Sequence, residues 1–158
     1  KTAYEIKECD WSSDVCSSDL ALPLIKEFEG CKLKAYRDQR GVATVGYGAT
    51  GPDVSMRTTW TQEQADSRLL KDIQIRVEQL KDMLDGAPTT DNQGAALLDL
   101  GYNIGMGALR GSTALRKHKA GDYQGAADAI LMWNKVNGVA NEGLARRRKA
   151  DRDLYISE

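Results

Sequence analysis

The sequence has few cysteines, few prolines and no long hydrophobic run. Its apolar stretches fall well short of the ~20 residues that a membrane-spanning helix requires, so no such helix is predicted. Of the three cysteines, only Cys31 lies outside the first 20 residues. A single cysteine cannot form an internal disulfide, so the main part of the chain implies no oxidising compartment. Neither sign of charge predominates, because the chain has 22 basic and 23 acidic residues, and no stripe of basic residues recurs along it. This balance argues against a nucleic-acid-binding protein.

Residues 1–20 differ in composition from the rest of the chain. They have no apolar periodicity, and they contain two lysines, five acidic residues and the cysteines Cys9 and Cys16. A secretory signal would need a basic start and an apolar run, and two cysteines without a nearby histidine are weak evidence for a metal site. Back-translation of DWSSDVCSSDL gives codons that resemble a sequencing-library adapter, so we interpret residues 1–20 as non-native. The rest of the chain has 20 basic and 18 acidic residues, a net charge of +2 that is too small to select an anionic polymer.

The pattern after residue 20 predicts a small lobe made of a helix and a β-hairpin, over residues 21–60. Leu24, Ile25 and Phe28 share one helical face, and this short helix is expected to end near residue 29. The stretch LKAYRDQRGVATVGYGATG is rich in glycine and in β-favouring residues that alternate with polar ones. It predicts two short strands around a turn at residues 39–41.

A long helix is predicted over residues 61–85, and it is expected to connect the small lobe to a larger helical lobe over residues 86–158. Thr61 and Gln64 form a capping-box pattern at its start, and apolar residues then continue at helical spacing. In the second lobe, helices are predicted from a capping box at Thr90, after Ser112, from Asp122 through Trp133, and from about Asn141 to Tyr155. The predicted fold is α+β, mainly α, with a single two-lobed domain over residues 21–158.

Two carboxyl groups and one hydroxyl are predicted to share a cleft. Glu29 ends the first helix, Asp38 ends the first strand, and Thr44 lies on the second strand. Carboxyls in unlike environments can divide acid and base roles, which is what cleavage of a glycosidic bond requires. The spacing alone is weak evidence, because most carboxylates are ordinary solvated surface groups.

The run EFEGCKLKAYRDQRGVATVGYG resembles the active-site signature of bacteriophage-type lysozymes, the endolysin muramidases of glycoside hydrolase family 24. That pattern is Glu, eight residues, Asp, five residues and Thr, followed by a Gly-aromatic-Gly turn. Glu29, Asp38, Thr44 and the GYG at residues 46–48 fall on this spacing. The resemblance continues through YNIGMGALRGSTALRKHKAGDYQGAADAILMWNK and GLARRRKADRDLY, so it covers about residues 21–156. It implies a lysozyme-like fold.

The resemblance also implies a reaction and a setting. The substrate would be the β-1,4 bond from N-acetylmuramic acid to N-acetylglucosamine in peptidoglycan. Glu29 would act as the general acid, while Asp38 and Thr44 would hold and activate the attacking water in an inverting hydrolysis. No metal or organic cofactor is implied. The protein would act as a monomer at the bacterial cell wall during phage or prophage lysis, by an export route that the sequence does not define.

Four more residues would line the saccharide cleft if the family layout holds, namely Tyr47, Thr50, Tyr102 and Asn103. For the two tyrosines, ordinary packing is an equally open reading. The family often has histidine after the Gly-aromatic-Gly turn, and this chain has Ala49 instead. We expect the change to remove a structural ion pair rather than a catalytic group.

Several other residues are predicted to have structural roles. Trp60 and Trp133 are expected to pack in the core or under loops, and Cys31 to be a packed or half-exposed thiol. His118, within RKHK, is expected at the surface. In the run RRRK, either Arg146 or Arg147 is expected to face the cleft or to pair with a core acid.

Two other functions stay open on the sequence. A lytic transglycosylase cleaves the same bond without water, and would need Glu29 but neither Asp38 nor Thr44. An inactive peptidoglycan-binding prophage relic would be favoured by the loss of any of these three residues, and all three are present.

Overall fold

The computed structural model describes residues 15–157, which form seven helices and two antiparallel two-stranded sheets. In chain order these elements are α1 Val15–Glu29, β1 Lys32–Arg37, β2 Ala43–Gly46, α2 Gln62–Leu84, α3 Asp91–Ile104, α4 Met106–Arg110, α5 Thr113–Lys119, α6 Tyr123–Ile130, β3 Lys135–Val136, β4 Val139–Ala140 and α7 Glu142–Ile156. The predicted class is confirmed, since the chain is mainly helical with a small hairpin lobe. No helix in the described range is long and apolar enough to cross a bilayer.

The hairpin β1–β2 has an apolar centre of its own. Tyr36 pairs with Thr44 across the two strands, and Ala35, Val45 and Val54 form a small buried cluster beside it. The predicted turn at residues 39–41 lies between the two strands, since β1 ends at Arg37 and β2 begins at Ala43. This lobe therefore fixes the turn that carries Asp38.

The long connecting helix α2 is confirmed. Thr61 caps its first turn through a capping box with Gln64, with both reciprocal bonds formed. The predicted apolar stripe is buried along its whole length, at Leu69, Ile73, Val77, Leu80 and Leu84. Because α2 contacts β2 at one end and α3 and α4 further along, it connects the two lobes.

Helix α3 is the centre of the helical lobe. It is buried from Gly94 to Gly101, and α1 and α7 both pack against it. A Cβ at Gly101 would lie 2.6 Å from the sulfur of Met106 and 2.9 Å from the side chain of Leu109, so glycine lets these two side chains of α4 pack directly on α3. Helix α1 thus packs mainly on the helical lobe, whereas the sequence predicts it in the small lobe with the hairpin.

Two helix boundaries differ from the predictions, and one hairpin was not predicted. Helix α1 begins at Val15, so Pro23 lies in the helix interior, where it lacks the N–H for one helical bond. The interpretation of residues 1–20 as non-native falls largely outside the described residues.

Helix α6 ends at Ile130, and the chain then forms the unpredicted hairpin β3–β4. Its turn residues Asn137 and Gly138 both have positive φ, and Asn-Gly is a strong hairpin signal.

The surface position predicted for His118 is wrong. The side chain is 1% exposed, and both ring nitrogens have partners. Nδ1 lies 2.5 Å from the hydroxyl of Tyr155, and Nε2 lies 2.8 Å from Oγ1 of Thr89. The Thr89 hydroxyl donates to the Ala87 carbonyl, so it accepts from Nε2–H, and the neutral imidazole satisfies every group. The other packing predictions are confirmed, since Trp60, Trp133 and Cys31 are partly buried against the core.

Burial lowers the pKa of His118 below its ordinary value of 6.5, although a bond with the Pro88 backbone opposes the shift. The unfolded chain therefore binds more protons than the folded one between that lowered pKa and about 6.5, so stability rises with pH in this window. We expect the free energy of unfolding of the wild type, relative to His118→Gln, to fall as pH decreases from 7 to 5. Urea unfolding at several pH values tests this. Since the chain has one histidine, parallel pH curves would contradict the account.

Candidate active site

A cleft of about 600 Å³ lies where the hairpin lobe faces α2 and α3. Six of the seven predicted site residues line it, namely Glu29, Asp38, Thr44, Thr50, Tyr102 and Asn103. Other lining residues that the sequence did not single out include Tyr36, Arg40, Gly48 and Arg76. The fold therefore brings residues from α1, β2, α3 and the hairpin turn to one surface.

Glu29 lies at the last position of α1, and its side chain is 21% exposed. Arg147 donates from Nη1 to Oε1 over 2.6 Å. The other oxygen, Oε2, faces Gly48, where an added Cβ would lie 3.5 Å away. Gly48 lines the cleft. The Glu29 carboxyl therefore has Oε1 bound to Arg147 and Oε2 on the side of the cleft.

Arg147 is held by a buried acid. Its Nε and Nη2 donate to the two oxygens of Asp99 over 3.0 and 2.8 Å, and Asp99 is fully buried. Burial alone would lower the pKa of Arg147, but the bonds to Asp99 and Glu29 outweigh it and raise the pKa. The guanidinium thus remains a cation fixed beside Glu29. This confirms the prediction that one arginine of the RRRK run pairs with a core acid, and Arg146 is exposed.

A second buried pair extends this network to the cleft wall. Arg148 Nε lies 3.0 Å from Asp151 Oδ2, and Arg148 Nη1 donates to Asn103 Oδ1 over 3.0 Å. Burial raises the pKa of Asp151, and the neighbouring Asp99 raises it further. Asn103 is therefore positioned by a fully buried arginine. The sequence analysis missed Asp99 and Asp151, although an aspartate inside the apolar run LLDL was a visible signal.

Asp38 follows β1, and backbone groups of the hairpin turn hold its carboxylate. Its Oδ1 accepts from the N–H groups of Val42 and Arg40 over 2.9 and 2.8 Å, and Oδ2 lies 3.4 Å from Arg40 Nη2. The Val42 N–H is the main cause that lowers the pKa of Asp38, against an opposing burial effect, and the backbone and guanidinium of Arg40 lower it further. Such a carboxylate stays ionised and can accept a proton from water.

Thr44 is buried to 3% exposure, and its hydroxyl donates to the Val42 carbonyl over 2.9 Å. The hydroxyl oxygen keeps lone pairs with which it can accept a bond from water. One residue, Val42, thus fixes both side chains, since its N–H binds Asp38 and its carbonyl binds Thr44. The hairpin presents the two groups as one unit.

Tyr47 is the predicted site residue that does not line the cleft. It is 7% exposed, and its hydroxyl donates to Asp66 over 3.0 Å and accepts from Gln62. Its carbonyl accepts from the hydroxyl of Tyr102 over 2.6 Å. Tyr47 therefore packs behind the cleft and supports Tyr102, which does line it. Ala49, which stands where the family often has histidine, is buried and pairs its backbone with Val45.

The low pKa of Asp38 is open to direct measurement. We expect ¹³C NMR titration of its carboxyl carbon to give a pKa below the ordinary 3.8. Arg40→Ala should raise that pKa only in part, because the Val42 N–H, the larger cause, remains. The Asp38 carboxylate would then stay ionised throughout the pH range above its ordinary pKa. A wild-type pKa at or above 3.8, or full recovery in Arg40→Ala, would contradict this geometry.

No cluster of three or more histidine, cysteine, aspartate or glutamate side chains within the described residues is arranged to hold a metal ion.

The chain is similar in sequence to phage endolysins and in structure to a solved muramidase domain. A family model described as phage lysozyme matches residues 26–151. The endolysin of Acyrthosiphon pisum secondary endosymbiont phage 1 is 41% identical over 144 residues, which cover 89% of this chain and 97% of that relative. The endolysin of Bacillus phage B103 is 37% identical over 142 residues, but the match spans about half of that relative, 54%. The solved muramidase domain of SpmX from Asticaccaulis excentricus superposes with a TM-score of 0.81 at 32% identity, over 87% of this chain and 95% of that domain.

The fold and cleft, taken with these similarities, define a lysozyme-type glycoside hydrolase. The chain belongs to the phage lysozyme family, which acts on the peptidoglycan of the cell wall.

Proposed function

We propose that this protein hydrolyses the β-1,4 bond between N-acetylmuramic acid and N-acetylglucosamine in peptidoglycan, as an endolysin in phage or prophage lysis. The observation that carries the proposal is the meeting of Glu29, Asp38 and Thr44 in one cleft. The two carboxyls have different surroundings, one against a buried arginine and the other in a backbone cradle. Such a pair can divide the acid and base roles of glycoside hydrolysis.

Glu29 is proposed as the general acid. Its Oε2 faces the cleft and would donate a proton to the glycosidic oxygen as the bond from that oxygen to C1 breaks. Arg147 binds only Oε1, so it orients the carboxyl without occupying the donating oxygen. After the proton has left, the same cation stabilises the carboxylate that forms.

Asp38 and Thr44 are proposed to hold the attacking water. The water would donate one hydrogen bond to the Asp38 carboxylate and another to Thr44 Oγ1, and its oxygen would attack C1. Asp38 then accepts the released proton. Attack by a separate water molecule on the face opposite the leaving oxygen inverts the configuration at C1.

The cleft walls offer contacts to the sugars. Tyr102 presents an aromatic ring, and the Asn103 side chain has its oxygen bound by Arg148, which leaves its amide N–H groups to donate. The carbonyl of Thr50 accepts a bond from Arg68 Nη2 over 2.7 Å, and the Thr50 hydroxyl is a further polar group of this residue. These groups suit sugar rings and acetamido oxygens, and we propose them as substrate contacts.

Mass spectrometry of purified peptidoglycan after digestion tests the reaction. We expect muropeptides that end in reducing N-acetylmuramic acid. Anhydro-muramic ends would keep Glu29 as the acid but would make the protein a lytic transglycosylase, without a role for bound water. A folded protein that binds peptidoglycan and releases no fragment would instead be an inactive binding relic.

A further inference from the structure

Arg76 lies on α2 and lines the cleft, although no step of the proposed reaction uses it. Its guanidinium carbon is 4.6 Å from the centre of the Tyr102 ring, and its Nη1 donates to the carbonyl of Asp72 over 3.0 Å. The Tyr102 ring is itself fixed, because its hydroxyl donates to the carbonyl of Tyr47. The guanidinium is therefore held in place on the cleft wall before any ligand arrives.

The charge of Arg76 has no carboxylate partner among residues 15–157, whereas the other arginine of the cleft wall, Arg40, lies against Asp38. The Nε and Nη2 of Arg76 also have no hydrogen-bond acceptor in that range, since its one bond runs from Nη1. An arginine that is fixed in a cleft with free donors and an unpaired charge is suited to bind an anionic group of a ligand.

We propose that Arg76 binds a carboxylate of the peptide stem carried by the N-acetylmuramic acid residues of the glycan. This inference rests on the proposed function, because peptidoglycan is the substrate there. The hydroxyl and acetamido groups of the sugars are neutral, so the negative charge of an uncrosslinked glycan strand lies on the stem peptides. Arg76 would thus select peptide-bearing muramic acid by a charge-assisted, fork-shaped contact.

A purely structural role would have a different signature. If Arg76 only packs on Tyr102 and caps a helical carbonyl, its removal affects all substrates alike, whatever their charge. If it binds a stem carboxylate, removing the arginine and neutralising the carboxylate break the same contact. Each change then raises KM, and the two changes together raise it no further than either one alone. The two interpretations therefore separate in a cycle that varies the enzyme and the substrate together.

The substrates for this cycle are soluble, uncrosslinked glycan strands in two forms, one native and one with its stem carboxylates converted to amides by carbodiimide coupling. Release of reducing ends gives kcat and KM for the wild type, Arg76→Gln and Lys71→Gln. Lys71→Gln is the matched control, because it removes one positive charge from the same helix at an exposed position outside the cleft lining. Lys71 and Arg76 are five positions apart in the sequence, which places their side chains about 140° apart around α2.

We expect amidation to raise the KM of the wild type by about five- to tenfold, as the loss of a charge-assisted contact predicts, with little change in kcat. Arg76→Gln should show the raised KM on native strands and no further response to amidation, while Lys71→Gln follows the wild type. Arg76→Lys, which keeps the charge but not the planar fork, should give an intermediate KM.

The inference is overturned if Arg76→Gln responds to amidation as fully as the wild type, or if it loses the same factor on both substrates. Circular dichroism of each variant checks that the helices are intact, and the Arg76→Lys values decide the matter if Arg76→Gln does not fold. Wild-type protein that releases no reducing ends from either substrate would instead refute the proposed function, and the inference would fall with it.

Discussion

Replacement of Glu29 by Gln is expected to lower the rate of bond cleavage by about 10²- to 10⁴-fold, the usual contribution of a general acid. The amide has the same shape and can still accept the bond from Arg147, but it cannot supply the proton that the leaving oxygen requires. The bond from Arg147 to Asp99 is untouched, so the fold should be retained. Initial rates of reducing-end release from purified peptidoglycan measure the effect, and circular dichroism checks the fold.

Glu27→Gln is the matched control for this experiment. It makes the same chemical change two residues earlier on α1, at an exposed position outside the cleft lining. We expect its rate to stay close to the wild-type rate. Substantial cleavage by a folded Glu29→Gln protein would remove the acid role from Glu29, and an equal loss in Glu27→Gln would point to a general effect of charge on α1.

Replacement of Asp99 by Ala is expected to lower the free energy of unfolding by about 3–5 kcal/mol, the cost of breaking a buried ion pair by removing one partner. Asp99 is fully buried and binds both Nε and Nη2 of Arg147. Without it, Glu29 is the remaining carboxylate partner of Arg147 within residues 15–157, and the buried charge is poorly balanced. The variant should also lose activity, because Arg147 orients Glu29. Urea unfolding followed by circular dichroism gives the stability change.

Asp82→Ala is the matched comparison, because it removes the aspartate of an arginine–aspartate ion pair that lies at the surface. Asp82 lies 3.2 Å from Arg110, and their side chains are 75% and 58% exposed. Solvent screens such a pair, so we expect a change of at most about 1 kcal/mol. Similar losses in the two variants would show that the buried network contributes no more than an exposed contact.

Features with local causes could be predicted from the sequence. The start of α2 follows from a capping box between Thr61 and Gln64, and its stripe of buried residues follows from helical spacing. The hairpin turn follows from the glycine-rich stretch after β1. The hairpin at residues 135–140 also has a local signal, because Asn137-Gly138 favours a tight turn, although the predicted helix ran through Trp133.

Features that depend on distant partners could not be predicted. His118 lies among basic residues in the sequence, and its partners Thr89 and Tyr155 are 29 and 37 positions away. The spacing rules for a helix say nothing about such contacts. Asp99 and Arg147 are likewise 48 positions apart. A pair between one arginine of the run and a core acid was predicted, but the sequence did not identify Asp99 as that acid.

The candidate site likewise has a part that could be predicted from the sequence and a part that could not. Glu29, Asp38 and Thr44 were found because they share one short signature, and the structure brings all three to one cleft. Their catalytic roles stay proposals. The groups that hold them were only partly visible, since Val42 acts through its backbone and Arg147 was one of several arginines in a run.

In the proposed reaction, Asp38 and Thr44 deliver a water molecule to C1 of the sugar, on the face opposite the leaving oxygen that Glu29 protonates. The most direct test is ¹H NMR of the anomeric protons during the first minutes of cleavage, before mutarotation mixes the products. Inversion at a β-1,4 bond predicts that the α-anomer of the new reducing N-acetylmuramic acid appears first. Initial appearance of the β-anomer would mean retention, and would contradict the water-holding roles of Asp38 and Thr44.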